Sequence, residues 1–221
     1  MRYINLDAWH QLHILCLMLF KPVTLFDKTY TLPWYQQTLQ AWIDSLEFRE
    51  GDAILEVGCA TGQLTQYMAN QCLNALGVDN SRDMLRQARA SMTGKACFKL
   101  GSALHLPLGN NQFDYVIAAS LLNIIKQPEL VMNEMRRVCK PGGKISVLVP
   151  LAGMTDEALE HLANELRLSG FSLAVLTTWH RRAPKMQQEK IIEYFNRAGL
   201  QHIECTTYLK CMVLTVSGNL P

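Results

Sequence analysis

The stretch Ile54-Leu55-Glu56-Val57-Gly58-Cys59-Ala60-Thr61-Gly62-Gln63-Leu64 runs from an oily segment through small residues into a polar one. Leucine, isoleucine and valine suit a buried strand, and the residues from Gln63 to Met68 suit a helix. Between the two, small residues let something approach the backbone closely. A tight turn alone would account for Gly58 and Gly62, and a ligand would account for them equally. Ala60 stands where a third glycine would be expected. It is tolerable there as long as its φ stays negative.

Outward from that turn, strand and helix signals alternate from residue 53 onward, the pattern of a parallel sheet covered on both faces. Strands are expected over 53–58, 75–79, 96–100, 113–120 and 145–149. Helices fall between them, one from Gly62 toward Cys72, one over 81–88 opened by Ser81 as its cap, and one over 128–139. Lys140-Pro141-Gly142-Gly143 is expected to stop the last of these sharply. Further on, 155–169 reads as an amphipathic helix, and Pro184 suits the first turn of another that ends near Gly199. Residues 203–208 and 212–216 read as two closing strands. Upstream, Tyr35, Leu39, Trp42, Ile43 and Leu46 mark a helix against the sheet. The expected organisation is an N-terminal helical cap over 1–50 and a main domain over 51–221. Residues 151–182, the least regular in pattern, are expected to form a substrate cover.

Composition narrows the partners. A chain of 221 residues with 49% hydrophobic and 18% charged residues is one domain, or one with a small appendage, and has ample material for a core. Net charge is +2, without a long Lys/Arg run, which disfavours nucleic acid. Seven cysteines without a Cys-x-x-Cys pair read as reduced thiols of a cytoplasmic protein, with no metal site expected. The apolar run over 12–20 is about half the roughly 20 residues that a crossing needs, so no transmembrane segment is expected. Asp7 and Lys21-Pro22 do not fit a signal peptide. Core packing or a hydrophobic lid is the preferred reading of this run, with a weak membrane-surface contact as the alternative. A monomer or homodimer is expected.

The ligand reading gains from three features. Glu56 before the glycines would repel a pyrophosphate and favour a cation. The spacing Gly-x-Ala-x-Gly departs from the Gly-x-Gly-x-x-Gly dinucleotide fingerprint. Asp79 ends the second strand about 20 residues on, where a carboxylate can accept from the hydroxyls of a ribose. A cationic, ribose-bearing ligand without phosphate describes S-adenosylmethionine.

The chain resembles the class I S-adenosylmethionine-dependent methyltransferases of the small-molecule type, near the ubiquinone/menaquinone-biosynthesis C-methyltransferases. ILEVGCATGQLT is similar to the family's first motif, GVDNSRDML to its second, GSALHLPLGNNQFDYVIAAS to the third and fourth, and MRRVCKPGGKISVLVP to the helix, turn and fifth strand. The resemblance implies a Rossmann-like α/β fold with a seven-stranded, mostly parallel sheet flanked by helices. By the same resemblance, Glu56 and Gly58 shape the methionine end of the cofactor with Gly62 beside them, Cys59 and Ala60 of the same turn belong to the cofactor-binding set, and Asp79 holds the ribose. Asn80 and Met84 flank the adenine, Ser102 and Ala103 stand where the family often has Asp-Ala, and Ala119 offers its carbonyl to the cofactor's ammonium.

Methyl transfer is an in-line displacement in which positioning supplies roughly 7–11 kcal/mol, and a base is needed only if the acceptor must lose a proton. Where the family frequently has a histidine pair, this chain has Asn123, which can orient an acceptor but not act as a base. His180 in the expected cover, and Tyr30, Tyr35, His10 and His13 before the core, are the other catalytic candidates, with His180 and Tyr35 preferred and each set against a plain structural role. Arg181 and Arg182 would suit an anionic group on the acceptor. The aromatic N-terminus would suit an apolar or aromatic small-molecule acceptor. Two other classes stay open. One is a non-catalytic S-adenosylmethionine-binding or regulatory module, motivated by Ser102 and Asn123. The other is a nicotinamide-dependent oxidoreductase, which the loop spacing and Glu56 fit poorly.

Overall fold

The computed structural model describes residues 8–71, 74–92 and 94–221; Asp7 and Cys72 lie outside them. A seven-stranded sheet in the order β3-β2-β1-β4-β5-β7-β6 organises the chain. Its strands are β1 (Ala53–Val57), β2 (Asn74–Asp79), β3 (Cys97–Leu100), β4 (Phe113–Ala119), β5 (Cys139–Pro150), β6 (Gln201–Tyr208) and β7 (Val213–Asn219). The first five pair in parallel, and β7 runs antiparallel between β5 and β6. The expected α/β, mostly parallel sheet is therefore present. The strand order reverses at β1, next to β4, which puts the carboxyl end of β1 at the crevice where such sheets bind ligands.

Both faces of the sheet are buried, so successive residues of one strand enter different cores. Leu55 and Val57 join Met132, Met135 and Phe195 on one side, from α6 (Pro128–Val138) and α9 (Gln188–Arg197). Ile54 joins Trp42, Ile43 and Met68 on the other, from α3 (Pro33–Asp44) and α4 (Gln63–Asn70). α3 belongs to the sheet's own packing, and Trp42 Nε1 donates to Ser146 Oγ at 2.9 Å in the interior. A third core joins α1 (Ala8–Phe20), α3, α7 (Asp156–Glu165) and α8 (Gly170–Arg182) through Ile14, Trp34, Leu159, Leu162 and Val175. α2 (Pro22–Tyr30) leans on it through Leu25. α5 (Arg82–Ala90) opens as expected, with Ser81 Oγ accepting from the Met84 N–H at 3.3 Å.

Four local expectations change. Lys140-Pro141-Gly142-Gly143 does not separate helix from strand; it forms the irregular start of β5. The Gly142 N–H donates to the Leu220 carbonyl, and the Leu220 N–H donates back to Gly143, so the chain stays on the sheet. Residues 170–182 are helical rather than irregular. Pro184 precedes the last helix, which begins at Gln188. The early apolar run is helical, but only part of it packs: Ile14 and Leu17 are buried, and its other large apolar side chains remain partly or largely exposed.

Candidate active site

A cavity of about 950 Å³ opens beyond the carboxyl ends of β1, β2 and β4, at the upper end of the size range of small-molecule sites. One end is lined by Gly58, Asp79, Asn80, Ser102, Ala103 and Ala119. The other is lined by apolar and aromatic side chains of α1, α2, α3 and α8, among them Ile14, Leu25, Trp34, Tyr35 and Trp179. The fold thus joins a polar, loop-built end to an oily chamber.

Three small residues of the turn have three different tasks, and only Gly58 among them lines the cavity. Gly58 has φ 79°, and a side chain there would come within 3.1 Å of Leu121 on the cavity wall. Gly62, also at φ 79°, opens α4; a side chain there would strike Phe98 and Ala88, so it serves packing and does not line the cavity. Ala60 lies at φ 46°, not the negative value expected, because its N–H donates to Asp79 Oδ2 at 2.9 Å. Asp79 also accepts from the Ser81 N–H through Oδ1, at 2.8 Å. Two backbone donors thus fix the carboxylate at the cavity edge, leaving lone pairs for a diol.

Glu56, Cys59 and Met84 are buried and do not line the cavity. Glu56 lies behind the glycine turn, where it accepts a short hydrogen bond from the Thr65 hydroxyl. Burial, with the Asp79 charge nearby, pushes its carboxyl up to about 7. It therefore influences the site through charge, not contact. Burial and the same two carboxylates hold the Cys59 thiol far above its ordinary value, so it stays protonated. Ser102 lines the cavity, but its hydroxyl already accepts from the Leu104 N–H at 3.2 Å. Asn80 and Ala103 line the cavity as expected, and so does Ala119 at the end of β4.

Of the catalytic candidates, Tyr35 and Asn123 line the cavity and His180 does not. His180 is no exposed loop residue. It sits on α8 with 7% of its surface exposed, its Nε2 donating to Asp156 Oδ1 at 2.8 Å. That bond ties α8 to the start of α7, a structural contact. Burial and nearby Glu56 push the Tyr35 hydroxyl up to about 12, so at neutral pH it is a hydrogen-bond donor, not a base. Asn123 Nδ2 donates to the Pro184 carbonyl at 3.2 Å, and its Oδ1 is buried without a partner among the described residues. Arg182 reaches the cavity edge, while Arg181 lines a separate notch of about 80 Å³.

Sequence reasoning missed two features. Trp34 and Trp179 stack at 6.0 Å with 27° between their planes, and Tyr35 stands edge-on to Trp179 at 6.3 Å. Trp34 Nε1 anchors the group by donating to Ser172 Oγ at 3.0 Å. This aromatic wall joins α3 to α8, and only recognition of α8 as a helix would have found it. Ser120, one residue past Ala119, lines the cavity at φ 50°. Strained backbone of this kind gathers at functional sites. No local sequence signal marks it.

Residues 55–147 match a family described as a methyltransferase domain. The chain is 33% identical over 111 residues to a demethylmenaquinone methyltransferase of Lactobacillus johnsonii, covering 47% of this chain and 46% of that protein. It is 30% identical over 128 residues to a phosphatidylethanolamine N-methyltransferase of Cereibacter sphaeroides, covering 52% and 62% respectively. It spans about half the length of the demethylmenaquinone methyltransferases it matches. Among solved structures, a phosphoethanolamine N-methyltransferase of Haemonchus contortus in complex with S-adenosyl-L-methionine superposes with a TM-score of 0.68 at 15% identity. The match covers 90% of this chain and 56% of that one, a likeness of fold.

Proposed function

We propose that residues 55–147, which match a methyltransferase domain, form a class I S-adenosylmethionine-dependent methyltransferase core, and that the whole chain transfers a methyl group from S-adenosylmethionine to a small apolar or aromatic acceptor. The observation that carries this reading is one cavity that joins Asp79 and Gly58 to the chamber walled by Trp34, Tyr35 and Trp179. When bound, the cofactor supplies an electrophilic methyl on a sulfonium. The residues present fit it: a carboxylate fixed by two N–H donors for the ribose, and a glycine whose missing side chain leaves room beside Leu121. Asn80, Ser102 and Ala103 would border the adenine, and Ala119 the methionine end. Glu56, buried and uncompensated beneath the turn, favours a cation above it.

Among the described residues lining the cavity, the ionisable ones are Tyr35, Asp79, Lys126 and Arg182. None is a base near neutrality in the acceptor chamber. The chain's contribution is positioning: aromatic faces hold the acceptor, the Tyr35 hydroxyl donates to it, Asn123 orients it, and α1, α2, α3 and α8 cover it from water. The acceptor that suits such a chamber is nucleophilic as bound.

Isothermal titration with S-adenosylhomocysteine tests the reading. Asp79→Ala removes charge-assisted hydrogen bonds of about 1.5–3 kcal/mol and should weaken binding roughly tenfold to a hundredfold. Wild-type protein that binds no S-adenosylhomocysteine would sink the proposal. Binding without release of S-adenosylhomocysteine across a panel of quinols, phenols and amines would favour a non-catalytic module instead.

A further inference from the structure

We infer that the mouth of the cavity docks on a lipid bilayer surface through an apolar rim that opens the chamber toward the lipid. α1 has no charged residue from Ala8 to Phe20. Trp9, Leu12, Leu19 and Phe20 recur at spacings that share one helical face. That face looks outward, with Leu19 73% and Phe20 77% exposed.

A second apolar set borders the cavity mouth, from the other side of α1 and from other parts of the chain. Met18 and Phe26 line the cavity and are themselves exposed, and so are Leu104 after β3 and Ile124 after β4, the latter 62% exposed. Single exposed apolar side chains are ordinary; a set drawn from two helices and two loops around one opening marks an interaction surface.

Charge selects the partner. Lys21, between α1 and α2, and Lys28, on α2, follow the apolar face in the chain, while Lys126 and Arg182 line the cavity, all four exposed. Among the described residues none of the four has a carboxylate partner. Asp27, the acidic residue of α2, is held by Gln63 Nε2 at 2.6 Å. Apolar side chains bordered by cations fit an anionic bilayer surface. A symmetric contact with a second copy would set the same lysines against each other without an acid between them. An apolar acceptor dissolved in the bilayer would then enter the chamber without crossing water. That use rests on the methyl-transfer reading; the docking itself does not.

The test mixes the full chain with vesicles of phosphatidylcholine alone, or of phosphatidylcholine and phosphatidylglycerol, followed by sedimentation. The protein should sediment with the mixed vesicles, less with the neutral ones, and less as salt rises. A Leu19→Ser/Phe20→Ser double variant should lose vesicle affinity by about tenfold or more, since each side chain contributes buried apolar area. Neither residue lines the cavity, so S-adenosylhomocysteine binding, measured separately by titration, should not change. Wild-type protein left in the supernatant with both vesicle types would overturn the inference. A double variant that sediments like wild type would overturn it too. So would a wild-type dimer in gel filtration that the double variant abolishes, because the face would then belong to a second copy.

Discussion

At Ala60 a side-chain-bearing residue is held at φ 46° so that its N–H reaches Asp79, 19 residues further along. The left-handed conformation costs an alanine about 1–2 kcal/mol. Ala60→Gly removes that strain but adds roughly 0.5–1 kcal/mol of backbone freedom to the unfolded chain. The variant should therefore be more stable by up to about 1.5 kcal/mol, read from urea denaturation at unchanged m-value. A loss of stability would show that the alanine methyl makes contacts worth more than the strain. The turn itself was legible in the sequence, because small residues after an oily run have few other uses. The sign of one φ was not, because a carboxylate on the neighbouring strand sets it. Ser102 shows the same limit: its hydroxyl is available as a letter in the sequence and already engaged in the loop.

Helix α8 illustrates where element reading ends. Gly-Phe-Ser-Leu-Ala-Val-Leu-Thr-Thr-Trp-His-Arg-Arg mixes glycine, β-branched and aromatic residues, and no side chain caps its start. Local propensity is therefore weak. Tertiary packing decides it, because Ala174, Val175 and Leu176 are buried with Ile14, Trp34 and Met212. That packing carries Trp179 to the cavity and turns His180 away from it, toward Asp156. By contrast, α5 was legible down to its Ser81 cap, since cap and apolar spacing lie within one short segment. The functional weight of α8 is open to a direct measurement. Trp179→Ala should raise the acceptor KM by about tenfold, roughly 1.4 kcal/mol, while S-adenosylhomocysteine affinity stays within about twofold. An equal fall in cofactor affinity would make Trp179 a support of the fold and not a wall of the acceptor chamber.

The whole molecule is a legible sheet with a less legible cover, and the two differ in how their information is stored. Alternating strands and helices from residue 53 specify the sheet locally, whereas α1, α2, α7 and α8 depend on one another across long sequence separations. Glu56 sits where these parts converge, buried beneath the glycine turn near Tyr30, Tyr35 and Asp79. Its folded-state carboxyl titrates at about 7, above its ordinary value of 4.5. The folded state thus holds this proton more tightly than the unfolded chain. The stability it contributes is fully present below pH 4.5 and is lost as pH rises through 7. The loss amounts to about 3 kcal/mol, a sizeable share of a domain's net stability. Glu56→Gln keeps an acceptor for the Thr65 hydroxyl and cannot titrate. Denaturation of both proteins from pH 4 to 8 isolates the effect, because every other titrating group is common to the two. The difference in stability should shift in favour of the Gln variant as pH rises, by about 3 kcal/mol over the window. A constant difference would mean that Glu56 is already ionised in the folded protein at pH 5. Saturation with S-adenosylhomocysteine should shrink the shift, because its ammonium favours the carboxylate. The turn would then set a buried acid beneath the cation it is shaped to receive, and the cation would favour its charged form.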